Sequence, residues 1–145
     1  MNYVAAITPA PLSGNLSLWT GRTLSGLVIL LFLLDAAVKL PPLQPVTDTM
    51  GQLGWPADPA MARALGALMI GSILLYAYPL TAVLGAILIT GYLGGAVAAH
   101  VRVGSPVLTH TLFGVYVGAL AWAGLWLRDP RLRALFPIMT GMTGR

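Results

Sequence analysis

Cysteine is absent from the chain's 145 residues. Disulfides, thiol redox chemistry and thiolate metal sites are therefore excluded within it, and cysteine usage gives no clue to compartment. Charge is nearly as scarce. Only 8% of residues are Asp, Glu, Lys or Arg, where a soluble domain uses roughly 25% to cover its surface. Against this stand 57% hydrophobic residues and a mean hydropathy of +0.83. A chain this short buries too little of its surface to hide so much apolar area in one aqueous core, so the bilayer must be the solvent for most of it. The first fourteen residues hold no lysine or arginine. A secretory signal would need a charged n-region there, and the apolar run that follows exceeds an h-region of about 7–15 residues. It reads as a retained first helix. The net charge of +4 and pI near 10 would suit nucleic acid if clustered. The basic residues instead stand singly at the ends of apolar runs, as basic membrane flanks do, and no nucleic-acid partner is expected.

Crossing the hydrocarbon core takes about 20 helical residues, and four segments qualify: 16–39, 59–78, 80–101 and 106–127. The fold expected is all-α, a single four-transmembrane-helix domain spanning residues 1–145. Pro41 and Pro42 end the first span, because consecutive prolines cannot continue the hydrogen-bond ladder. Asp58 followed by Pro59 is an N-terminal cap signal for the second. Tyr78-Pro79 turns the chain into the third. Residues 41–58 contain four prolines, two glycines, Trp55 and only two charges. So sparsely charged a connection predicts a membrane-lying loop or short helix, with Trp55 at headgroup level. Arg128-Asp129-Pro130-Arg131-Leu132-Arg133 marks a return to water, and 134–139 reads as interfacial within a tail running from 128 to 145.

Arginine and lysine near the helix ends set the expected orientation. The side of the termini collects Arg22, Arg128, Arg131, Arg133 and Arg145, and the other collects Lys39, Arg63 and Arg102. The bias places both termini in the cytoplasm, with a bacterial inner membrane as the expected location.

Close backbone approach matters for helix packing in lipid. Gly91, Gly95 and Ala99 share one face of the third span, beside a ridge of Thr90, Gly94 and Ala98. Gly114 and Gly118 have the same spacing in the fourth. These stripes serve either packing inside the bundle or an interface with a second copy or another membrane protein. Tyr92, Tyr116, Trp122 and Trp126 are gap fillers or interface markers more readily than a ligand-stacking box, and Trp126 beside Arg128 suits an aromatic belt.

One cluster stands out. On the side opposite the termini, Asp35 and Lys39 lie four apart on one helical face, Arg63 lies one turn into the second span, His100 and Arg102 close the third, and Thr109 and His110 open the fourth. An ionisable group inside a span costs roughly 2.5–3.5 kcal/mol on insertion scales and usually faces a partner or a wet cavity. Asp35 is the deepest of these groups. It serves either as half of a structural ion pair or as part of a ligand site, while Arg102 suits snorkelling to headgroups. Two histidines could ligate haem iron, but their place at the membrane edge beside a short loop disfavours it. A metal site needs three or four donors, and His100, His110 and Asp35 offer three at most, so no metal is expected. Hydrogen bonding to a headgroup or a quinone-like carbonyl fits better. No nucleophile with its base, phosphate-binding glycine loop or paired-carboxylate site is present.

The chain resembles the DoxX-like membrane proteins. The resemblance runs from Gly21-Arg22 through Asp35 and Lys39-Leu40, then Gln52-Leu53-Gly54-Trp55-Pro56. It continues through Thr81-Ala82-Val83-Leu84-Gly85-Ala86, Gly91-Tyr92-Leu93-Gly94-Gly95-Ala96 and His100-Val101-Arg102-Val103-Gly104, ending in Leu127-Arg128-Asp129-Pro130-Arg131. It covers about residues 19–137. It implies a four-helix bundle and membership of a family that includes subunits linked to quinone reduction and to defence against quinones or thiol stress. Animal relatives resemble receptor assembly factors. Many such chains carry an acid in the second helix. Here Gly66-Ala67-Leu68-Met69-Ile70-Gly71 has none, which counts against any mechanism needing one there.

Two functions follow as expectations. One is a redox-associated subunit binding quinone at the polar layer, with Asp35, His100 and His110 handling protons or hydrogen bonds and Lys39 or Arg63 stabilising an anion. It would take its electrons from a partner. The other is a non-enzymatic scaffold whose glycine ridges face lipid and pack against another membrane protein.

Overall fold

A computed structural model describes residues 14–135 of the chain, so the expected tail beyond 135, with Arg145, lies outside the described residues. The described residues form helices and no strands: α1 (Gly14–Lys39), α2 (Gln44–Gln52), α3 (Pro59–Ala77), α4 (Ala82–Arg102), a π-helical turn (Val107–Thr111), α5 (Phe113–Arg128) and α6 (Pro130–Leu135). Four stretches are long and apolar enough to cross a membrane: Asn15–Lys39, Pro59–Ala77, Ala82–Arg102 and Val107–Arg128. They run alternately up and down. The neighbours are α1 with α3, α3 with α4, α4 with α5, and α5 back against α1, which closes a four-helix ring.

Local signals account for the ends. The Asp58 carboxylate accepts from Ala60 N–H at 3.0 Å with Pro59 at the first helical position, satisfying one of the orphan donors of an N-terminus. Between α1 and α3, α2 starts with Pro45 in its first turn. It is the short helix that the sparsely charged connection predicts. Gly54 then turns the chain at φ +71°, a conformation that side chains with a Cβ avoid.

Two boundaries differ from expectation. The fourth span opens after Pro106 with i to i+5 bonds, Thr111 N–H to Pro106 O at 3.2 Å and Leu112 N–H to Val107 O at 2.8 Å. Helical periodicity does not distinguish this wider turn from an α start. Residues 130–135 form a helix whose Leu132 is buried against the bundle, so this stretch docks on the bundle instead of entering water directly.

The core follows the four-residue spacing of helix faces. Val28, Phe32 and Ala36 from α1 meet Met69, Ile73 and Tyr76 from α3, Ala82, Ala86, Ile89 and Leu93 from α4, and Val117, Ala121 and Leu125 from α5. Large apolar residues such as Leu30, Leu34, Leu74, Leu84 and Ile87 stay exposed. In water such a surface would drive aggregation; in hydrocarbon it is the outer coat. Glycines allow the closest crossings. A Cβ at Gly21 would lie 2.7 Å from Arg128 N and 2.9 Å from Gly124 O, and one at Gly85 would collide with the Tyr76 backbone.

Candidate functional site

At the end opposite residue 14, the polar side chains sort into separate groups. Asp35 and Lys39 form an ion pair along α1. Lys39 is the more enclosed, its side chain 15% exposed against 45% for Asp35, because its stem lies against Gly66 of α3. The carboxylate expected to lie deepest is thus the more accessible partner. His100 and His110 meet with ring centroids 5.9 Å apart and planes tilted by 59°. Each ring has a further polar neighbour, His100 Nδ1 at 3.0 Å from Ser105 Oγ and His110 Nδ1 at 2.8 Å from Thr109 Oγ1. No hydrogen bond or ion pair among the described residues joins Asp35 or Lys39 to either histidine. Arg63 is exposed. Among the described residues, no three His, Asp or Glu side chains gather as metal ligands would.

Arg102 has a distinct place. Its Nη2 donates to Leu53 O at 2.6 Å and lies against Gly54, tying the end of α4 to the turn after α2. Beneath that link is a cleft of about 370 Å³ lined by Gly54, Trp55, Gly95, Ala98, Ala99 and Arg102. Two of these, Gly95 and Ala99, belong to the small-residue stripe read from the sequence, and Ala98 to the ridge beside it. Among the described residues, Gly91, Gly94 and Gly95 have nothing within 4 Å of where a Cβ would stand, so the face of α4 that carries them packs against no other described helix. The other stripe does: a Cβ at Gly114 would lie 2.9 Å from Val97, and one at Gly118 would lie 3.7 Å from Leu93. The two glycine patterns, alike in sequence, therefore face opposite ways.

The aromatic residues do not form one box. Tyr92 lies against Phe32 with centroids 5.7 Å apart, Trp122 donates to Thr90 Oγ1 at 2.8 Å across α4 and α5, and Tyr116 is exposed.

The opposite end holds a polar network that sequence reasoning missed. The Tyr76 hydroxyl donates to Ala121 O at 2.7 Å and lies 3.0 Å from Ser25 Oγ. Arg128 Nη2 donates to Tyr76 O at 2.6 Å, and its guanidinium carbon stands 4.8 Å from the Tyr76 ring centroid. One fully buried tyrosine thereby links α1, α3 and α5. Ser25 and Tyr76 were visible in the sequence as lone polar groups within apolar spans, the kind that need partners in lipid. Their pairing was not visible, since they lie on different helices. Beyond α5, Asp129 accepts from the Arg131 backbone N–H at 2.9 Å and from Arg131 Nε at 3.3 Å. Partial burial pushes the Asp129 carboxyl up, but the Arg131 hydrogen bonds, the Arg131 charge and the Leu132 N–H outweigh it and hold the group below its ordinary range.

The structure defines a class: an all-helical, four-span integral membrane protein whose polar groups concentrate at the two ends of the bundle. The DoxX-like family matches over residues 23–124. The chain belongs to the DoxX-like family. No curated protein and no solved structure matches it.

Proposed function

We propose that this protein binds a flat, lipid-soluble ring compound carrying a carbonyl oxygen, a quinone or similar molecule, as the membrane-embedded component of a redox system. The cleft between the small-residue face of α4 and the Gly54-Trp55 turn carries the reading. At about 370 Å³ it falls in the lower part of the roughly 300–1,000 Å³ range of small-molecule sites. Gly95 and Ala98 leave the α4 backbone open to a ring lying flat, and the Trp55 indole supplies an aromatic surface. A guanidinium has five N–H donors. Arg102 uses one on Leu53 O and keeps others for a carbonyl oxygen or the anion formed on its reduction. The chain has no cysteine thiol and no evident electron donor, so a partner delivers electrons. Proton exchange falls to His100, next to the cleft residue Ala99, and to His110 beside it. By the arginine bias the cleft faces away from the cytoplasm of a bacterial inner membrane, with both chain ends inside.

The test is a quinone titration of the full chain in nanodiscs, read by tryptophan fluorescence quenching. Arg102→Gln and Gly95→Leu should each weaken binding by about tenfold, which corresponds to roughly 1.4 kcal/mol. Gly95→Leu places its side chain in open space and should fold normally. Asp35→Asn should bind like the parent. Unchanged affinity in both cleft variants would sink the proposal.

A second reading rests on Gly91, Gly94 and Gly95, whose Cβ positions meet nothing within 4 Å among the described residues. Small residues let a partner helix approach closely in lipid, so a scaffold or assembly role is the alternative. Photocrosslinking from position 91 in native membranes decides it, because a scaffold must give a defined adduct there and a pure quinone-binding protein need not.

A further inference from the structure

A second cavity lies at the end opposite the cleft, where α1, the start of α4 and the α5–α6 corner meet. Its volume is about 260 Å³. Leu18, Ala82 and Leu125 contribute apolar walls, while Arg22, Arg128, Arg131 and Asp129 contribute charge. Asp129 is already engaged by Arg131 through backbone and side chain. Arg131 is also fixed to Pro79 O at 3.2 Å. Arg128 is held by Tyr76 O and the Tyr76 ring, and its buried Nε finds no hydrogen-bond acceptor among the described residues. Arg22 makes no hydrogen bond or ion pair among the described residues and stands 5.6 Å from the Trp19 ring centroid. Three guanidinium cations therefore line one cavity with a single carboxylate among them. That leaves the cavity with a net positive charge, which an anion would offset. Arginines that merely snorkelled would spread their heads into the headgroup layer, whereas these are positioned by a tyrosine, a tryptophan, an aspartate and a backbone carbonyl.

We propose that this cavity binds a phosphate group at the membrane surface through Arg22, Arg128 and Arg131. Guanidinium forks suit phosphate oxygens, and basic pockets between membrane helices take anionic headgroups. The source is either an anionic lipid, whose glycerol and chains would follow Leu18 and Leu125, or a soluble phosphate compound of the adjoining compartment.

The experiment uses the full chain in neutral detergent, with phosphatidylglycerol, phosphatidylcholine and inorganic phosphate as probes, read by native mass spectrometry and by thermal shift. Phosphatidylglycerol or inorganic phosphate should bind and stabilise, and phosphatidylcholine should not. Arg22→Gln breaks no hydrogen bond among the described residues. It should weaken binding by about fivefold, and Arg22→Gln with Arg131→Gln by more, while Arg63→Gln at the far end leaves it unchanged. Phosphatidylglycerol binding that survives millimolar phosphate assigns the site to lipid, and its displacement assigns it to soluble phosphate. Equal losses from Arg63→Gln and Arg22→Gln, full binding by the double variant, or no binding of either anionic probe would each overturn the proposal.

Discussion

Tyr76 shows how a single side chain ties together three helices toward one end of a membrane bundle. Its hydroxyl meets Ser25 of α1 and Ala121 O of α5, while its own carbonyl accepts from Arg128. Hydrocarbon offers no water to replace such bonds, yet a polar group in a membrane protein finds other partners when unfolded, and measured interhelical bonds contribute only about 0.6 kcal/mol on average. Tyr76→Phe should therefore destabilise the bundle by about 0.5–1.5 kcal/mol in a denaturation titration in micelles. A double-mutant cycle with Ser25→Ala should show coupling between the two hydroxyls, and strictly additive losses would mean they do not interact. Asp129 supports a pH prediction of definite sign. Its folded-state pKa lies below the ordinary 3.8, so its contribution is complete above that value and is lost as the pH falls through the lower folded value. Because Asp129 caps α6 through Arg131 N–H, amide protection in α6 should collapse in acid before that of α1 or α4. In Asp129→Asn the α6 amides should already exchange faster at neutral pH, with little further change on acidification.

At the scale of elements, each crossing is set by where a side chain is missing. The α1–α5 crossing rests on Gly21 and Gly124, and the α3–α4 hairpin on Gly85 against the Tyr76 backbone. Overpacking such contacts costs roughly 1–3 kcal/mol, because backbone cannot move aside as a side-chain tip can. Gly21→Leu should lower thermal stability by that amount, and Gly26→Leu, with nothing within 4 Å among the described residues, should leave it nearly unchanged. Equal effects at the two positions would show that the crossing does not depend on Gly21. The sequence marked Gly91, Gly95, Gly114 and Gly118 by spacing alone. Spacing identifies a smooth helix face but not what covers it, so it did not separate the exposed Gly91 and Gly95 from the packed Gly114, and it passed over the isolated Gly21 and Gly85.

Across the whole molecule, alternating helices bring residues 14 and 135 to one end and α2 to the other. Since the chain lacks cysteine, single introduced thiols test the topology directly. In bacterial inner-membrane vesicles, Leu135→Cys should be labelled from the cytoplasmic side and Asp48→Cys only from the opposite side. The same face for both would refute the alternation, and exchanged faces would reverse the orientation. The number of spans, the bundle architecture, the short helix after Pro42 and the asymmetry of arginines were all legible in the amino-acid sequence. They follow from hydropathy, proline, capping and charge, which act over a few residues or one bilayer thickness. Tertiary structure alone decided that Asp35 and Lys39 pair apart from His100 and His110, that Arg102 closes a cleft with Trp55, and that Arg22, Arg128 and Arg131 share a cavity. Those groupings depend on the rotation of each helix about its axis. Rotation is set by close backbone contacts between distant segments such as Gly21 with Gly124, and no local pattern encodes which face meets which.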